Sequence, residues 1–112
     1  MDVNKYKQSL GTYSLKPTRF ALGILELLVE QGTLGMSLKQ IEKQVNIPRA
    51  TIHRYLSALT ESGWVEVYGS QQSMVWKPSD HFIKLAFNYR NAVRAEVDSI
   101  KAEFKNLTGE EL

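Results

Sequence analysis

The chain has 112 residues, 43% of them hydrophobic and 23% charged, with a net charge of +2. This is the size and balance of one globular domain with room for an appended helix, and it excludes wholesale disorder. There is no cysteine, which excludes disulfide stapling, thiolate chemistry and the usual structural zinc sites. No apolar run approaches the ~18 residues of a membrane span, and the start MDVNKYKQ is unlike a signal peptide; a cytoplasmic protein with no membrane partner is the expectation.

Residues 1–16 are polar, with Tyr6 and Tyr13 and little periodicity, and read as a flexible or extended arm. Lys5, Lys7 and Lys16 either touch a phosphate backbone or belong to a disordered tail. A first helix is expected from Pro17–Thr18 to Gln31, with Gly32 as its terminator. Leu22, Leu25, Leu28 and Val29 fall on one face and Ile24 and Leu27 widen it, so the helix is expected to pack on more than one partner. Gly23 in mid-helix costs about 1 kcal/mol against alanine, which suggests close approach of another backbone. Residues 32–36 read as a connector.

Residues 37–63, SLKQIEKQVNIPRATIHRYLSALTESG, read as two helices joined by a tight turn. Ser37 with Gln40 three positions on makes a capping box, and Leu38, Ile41 and Val45 form a buried stripe. Asn46 is expected to end the helix in the left-handed conformation. Ile47 is a core anchor, and Pro48 suits the first turn of the next helix, over 48–62. Ile52, Tyr55, Leu56 and Leu59 form its inner face. Arg49, Ala50, Thr51, His53, Arg54 and Ser57 are left outside: short side chains for close approach, hydrogen-bonding groups for base edges, and arginines for guanine or phosphate. The plain alternative is a solvated helix face. Ser37, Lys39, Gln40 and Lys43 lie at or near the start of the preceding helix, where free N–H groups suit a phosphate, though both lysines read equally well as ordinary surface residues. Positive charge concentrates here: four basic residues stand against Glu42 in 37–60, and four against Asp2 in 1–20.

After Gly63, Val65 and Val67 alternate with Glu66, and Trp64, Tyr68, Val75 and Trp76 supply strand-favouring bulk. Residues 69–73 form a polar turn and Pro78 ends a β-hairpin. Ser70, Gln71, Gln72 and Ser73 at its tip are uncharged; they suit hydrogen bonds to sugar or phosphate, or are simply a solvated turn. A tip this neutral predicts a shallow salt dependence. From Ser79 or Asp80, either of which can cap, a long helix is expected to run to Leu107. Phe82, Ala86, Tyr89, Val93, Val97, Ile100, Phe104 and Leu107 form a near-heptad seam with one four-residue slip, longer than a small domain can cover. A homodimer joined through this seam is expected; a helix folded back on its own domain, or broken near 88–91, is the alternative. The fold class is therefore mainly α with a small β-hairpin: an arm (1–16), a winged helix-turn-helix (17–78), a long C-terminal helix for dimerisation or linkage (79–108), and a tail (109–112).

The chain resembles the DNA-binding half of IclR-type transcriptional regulators. ALGILELL (21–28) looks like that family's first helix, and MSLKQIEKQVNIPRATIHRYLSALTESGWVE (36–66) is similar to its helix-turn-helix and first wing strand. KLAFNYR (84–90) and KNLTGEE (105–111) look like the linker helix and the lead-in to the effector domain. The core of the likeness is Ile47, Pro48, Ala50, Thr51, Ile52 and Arg54. The resemblance implies that Arg49 and Thr51 lie near phosphate or bases at the start of the reading helix, with His53 and Arg54 deeper in the major groove. Asn46 stands where glycine is usual. The basic residue implied at the start of the first helix is replaced by Phe20, with Arg19 one position earlier as the candidate contact. The chain ends where an effector-binding domain would begin, so it is either a fragment or a short regulator without a small-molecule sensor, and no small-molecule effector is evident. Winged helices of the MarR and ArsR kinds share the architecture.

His53 and His81 have no companions at catalytic or metal-binding spacing, and there is no Gly-rich phosphate loop; neither enzyme activity nor a cofactor or metal is expected. Two functions compete. One is a sequence-specific regulator of transcription, a repressor, binding a palindromic operator in double-stranded DNA as a homodimer through helix 48–62. The other is a winged-helix protein–protein interaction module whose long helix recruits partners and whose helix-turn-helix face reads no sequence.

Overall fold

The computed structural model describes residues 15–112; the expected arm contacts at Lys5 and Lys7 lie outside them. Helix α1 spans Lys16–Glu30, α2 Leu38–Gln44 and α3 Arg49–Glu61. Strands β1 (Val65–Tyr68) and β2 (Val75–Pro78) follow, and then α4, Asp80–Thr108. Three helices followed by an antiparallel hairpin make a winged helix-turn-helix, with a long C-terminal helix after it. The described residues divide into two units, the first ending at Phe82 and the second comprising Ile83–Leu112.

The apolar stripes meet in one core. Ile24, Leu27 and Leu28 of α1, Ile41 of α2, Ile52 and Leu56 of α3, and Val65 of β1 are all essentially solvent-free. Each such side chain contributes roughly 1.5–3 kcal/mol by leaving water. Gly23, Ile24, Leu25, Leu27 and Leu28 make a broad buried face on the first helix, against which α3 and β2 pack, but Leu22 and Val29 remain exposed. Leu22 instead borders an open apolar groove of about 430 Å³, beside Leu25, Ala58, Trp64 and Phe82.

The joint between α2 and α3 is built differently from the expected left-handed cap. Val45 leaves α2 with extended backbone (φ −127°, ψ 147°), and Asn46 is not among the residues with positive φ. A β-branched residue favours that conformation, and the extended step buries Val45 and Ile47 on either side of an exposed Asn46. Pro48 is the N-cap of α3 rather than its first residue. At the other end α3 closes as expected at Gly63 (φ +83°). The amides of Trp64 and Gly63 donate to the carbonyls of Leu59 and Thr60 at 3.0 and 3.1 Å, a Schellman closure that needs the left-handed glycine.

The wing pairs Val65 with Pro78 through to Tyr68 with Val75; Val65 and Trp76 are buried, whereas Val67 is 39% exposed. A third strand position was not visible in the sequence. Met36, in the expected connector, exchanges two backbone hydrogen bonds with Trp76 (3.0 and 2.9 Å). Gly35 permits this approach. Its φ is +79°, and a Cβ there would lie 2.7 Å from Lys77 Cγ and 3.1 Å from the Trp76 carbonyl. The hairpin is thereby anchored to the start of the helix-turn-helix.

Ser79 ends the wing and caps α4. Its hydroxyl donates to the Gly63 carbonyl (2.6 Å) and accepts from the Phe82 amide (3.0 Å), while its own amide donates to the Trp64 carbonyl (2.9 Å). The helix it starts has 29 residues, about 43 Å at 1.5 Å per residue, and none of them is buried. Tyr89, Val93, Val97, Ile100 and Leu107 of the seam are all exposed.

Candidate nucleic-acid interface

The interface candidates come from three places: the start of α2, the outer side of α3, and the wing tip. At α2 the capping box forms as expected. The Gln40 amide donates to Ser37 Oγ (3.1 Å) and the Ser37 amide donates to Gln40 Oε1 (2.9 Å). The acceptor atoms of both side chains are therefore occupied, leaving the hydroxyl hydrogen of Ser37 and the Gln40 carboxamide N–H groups as donors. Donors are what a phosphate requires. With only seven residues, α2 has little dipole to add, so charge here comes from Lys39 and Lys43, both exposed.

On α3 the buried side is set by Ile52, Leu56 and Leu59. At 100° per residue Ala50, Arg54 and Ser57 fall opposite it, with Arg49 and His53 turned toward the wing and Thr51 toward the other flank. Arg49, Ala50, His53 and Arg54 are exposed, and Thr51 and Ser57 are half-buried. His53 meets Trp76 edge-on, ring centres 6.1 Å apart at 90°, which fixes the imidazole against the wing. Arg49 Nη2 lies 3.4 Å from Glu42 Oε1. Both side chains are solvated, so the pair is worth at most ~1 kcal/mol and does not lock the guanidinium.

The wing tip is compact: the Ser70 and Ser73 hydroxyls are 3.2 Å apart and the Ser73 amide donates to the Ser70 carbonyl at 3.0 Å. One of those hydroxyls donates to the other, while Gln71 and Gln72 are exposed. Ser37, Lys39, Arg49, His53, Gln71 and Gln72 converge on one open groove of about 300 Å³, floored by Leu38, Met74 and Trp76. Two cations, an imidazole and two carboxamides line it, and no carboxylate does. Gln40, Lys43, Ala50, Thr51, Arg54 and Ser57 lie outside that groove.

Arg19 departs from the rest. It is only 7% exposed, buried within the winged unit rather than presented on its surface, and Phe20 beside it packs on Tyr55, ring centres 6.3 Å apart. Sequence reasoning missed Leu38, Met74 and Trp76 as the groove floor and Glu42 as the partner of Arg49. The alternation of Met74 and Trp76 carried a signal for the floor.

Residues 21–68 match the family model of the IclR helix-turn-helix domain. Over these residues the chain is similar to an IclR-type helix-turn-helix domain. The match runs from α1 through β1, so the groove-lining residues of α2 and α3 lie within it, whereas the wing tip, β2 and α4 lie beyond it. No curated protein and no solved structure matches the chain. That likeness supports a DNA-binding regulator of transcription. Among the described residues no helix is long and apolar enough to cross a membrane.

The outer face of the wing carries a separate cluster. Glu66 accepts a hydrogen bond from the Tyr68 hydroxyl and, at 3.0 Å, one from the Asp80 amide, and Lys77 sits over the Tyr68 ring at 5.0 Å. The Tyr68 hydrogen bond, then that of Asp80, holds the Glu66 carboxyl below the usual glutamate value, and the same carboxylate holds the Tyr68 hydroxyl above the usual tyrosine value. The cluster ties the wing to the first turn of α4 and stands apart from the groove.

Proposed function

We propose that this IclR-type domain binds a specific duplex sequence with α3 in the major groove, and that the chain acts as a homodimeric repressor at a palindromic operator. Arg49 and Thr51 meet phosphate or the outer bases at the start of α3. His53 and Arg54 reach base edges farther in, and Ala50 and Ser57 allow the close approach. Lys39, Lys43, Ser37 and Gln40 donate to the backbone, and Gln71 and Gln72 reach sugar or phosphate from the wing. The observation that supports this most is the groove itself. Three elements distant in sequence direct cations and donors into one concavity without a carboxylate in its lining, which suits a polyanion.

Residues 17–78 serve as the reading part and 79–108 as the joining part. The exposed seam of α4 supports pairing, and two paired copies read half-sites one or more helical turns apart, ~34–36 Å per turn. Repression follows from occupancy alone, since such a dimer blocks a promoter without further contacts. Binding-site selection from random duplexes with the purified chain tests the reading. An enriched inverted repeat is expected. Weak, sequence-blind binding confined to low salt overturns it and leaves an interaction module.

A further inference from the structure

We infer that the partner of α4 is a second α4 running parallel and in register, and that Glu96 and Lys101 select this orientation. The inference rests on the homodimer reading above and adds its geometry. The seam carries Val93, Val97 and Phe104 at one set of core positions and Ile100 and Leu107 at the other, with the slip falling between Val93 and Val97. All but the half-buried Phe104 are exposed, Val97 least at 43% and Leu107 most at 79%. β-Branched residues at the first set with a leucine at the second favour parallel two-stranded pairing.

Charge on the two sides of the seam decides between orientations. Stepping 100° per residue around α4, Arg90 and Lys101 fall on one flank and Glu96 and Glu103 on the other. Every charge adjoining the seam on one side is basic, and every one on the opposite side is acidic. In a parallel pair the left flank of one helix meets the right flank of the other, so acid faces base. Glu96 then meets Lys101 of the second copy, five positions farther along, and the two-fold repeats the contact. An antiparallel pair in the register that matches the apolar residues sets Val93 against Ile100. It also lays each flank against its own kind, Arg90 beside Lys101 and Glu96 beside Glu96. Like charges so placed disfavour that arrangement. Parallel pairing brings both winged units to the same end of the pair, as two half-sites on one duplex require.

The chain has no cysteine, so disulfide trapping reads the geometry directly. Ile100→Cys in the full chain is expected to cross-link with itself under mild oxidation, and a mixture of Val93→Cys and Ile100→Cys chains to give the two self-linked species over the mixed one. A predominant mixed species, with a dimer still seen by light scattering, overturns the parallel register and leaves the dimer intact. A monomer at high concentration overturns the dimer reading itself. Reversing charge separates the cases a second way. Lys101→Glu is expected to weaken the dimer about tenfold in Kd, two solvated pairs turning repulsive, and adding Glu96→Lys to restore it, with helix content by circular dichroism unchanged. Tightening by Lys101→Glu alone overturns the proposal, because only the antiparallel pair sets that position against Arg90.

Discussion

Arg54 projects from the middle of α3 and no ion pair holds it among the described residues, whereas Arg49 shares its charge with Glu42. A guanidinium without a competing carboxylate is the one best placed to read a base. A bidentate arginine–guanine pair is worth ~1–3 kcal/mol of discrimination. Arg54→Ala is therefore expected to relax the selected-site profile at one base pair while leaving the rest of the motif; an unchanged profile removes Arg54 from the reading set. On the wing, Glu66 titrates in a direction that can be checked. Its carboxyl is held low chiefly by Tyr68 and next by the Asp80 amide, so the tie contributes above the ordinary glutamate value and is lost as pH falls through the lowered one. Tyr68 is held high by the same bond, and its contribution is complete below the ordinary tyrosine value and is lost as pH rises through the raised one. A carboxyl-carbon NMR titration should place Glu66 below the ordinary range and Tyr68→Phe should bring it back up; no movement on that substitution means that the tyrosine is not the cause.

At the element scale, Ser79 joins the end of α3, the end of the wing and the start of α4. It is 3% exposed, so removing its hydroxyl leaves the Phe82 amide and the Gly63 carbonyl without that partner. Ser79→Ala is expected to cost ~1–2 kcal/mol, read as a lower denaturant midpoint at unchanged slope. Local signals made most elements legible. Ser37 and Gln40 declare the start of α2 because a capping box lies within one turn, and Ile52, Leu56 and Leu59 declare the inner side of α3 by spacing alone. What escaped was set by partners far along the chain. The bridge of Met36 to Trp76 depends on Gly35 admitting a strand forty residues downstream. The burial of Arg19 and the exposure of Leu22 depend on which side of α1 the other elements take. Asn46 misled for a nearer reason: its left-handed tolerance was outweighed by two buried neighbours that favour an extended step.

For the whole molecule, the candidate site was legible as a set of residue types but not as a shape. Arg49, His53, Lys39 and the wing-tip glutamines could each be singled out by chemistry, yet only the fold gathers them around one concavity. The seam of α4 was legible because its spacing is internal to one helix, and it sets the assembly prediction. Val97→Asp lies at a 43% exposed position, so the single chain should lose no more than ~0.5 kcal/mol. The pair should dissociate, and operator binding should weaken by about a hundredfold or more as the second half-site ceases to be an intramolecular event. Tight operator binding by a chain that remains monomeric in light scattering overturns this. The ion pair between Glu42 and Arg49 bears on the same binding in a further way. On the proposed reading Glu42 acts as a tethered counterion, in part of the space a phosphate oxygen would take. When Arg49 exchanges one anion for another, it has fewer mobile ions to set free from the duplex than an unpaired cation such as Lys39. Glu42→Gln is therefore expected to tighten binding at low salt and to steepen log K against log [salt] by up to about 0.9 per protomer. An unchanged slope means that Arg49 meets no phosphate. On that reading, a chain that holds its own anion beside α3 gives up some affinity in dilute buffer and keeps more of it as ionic strength rises.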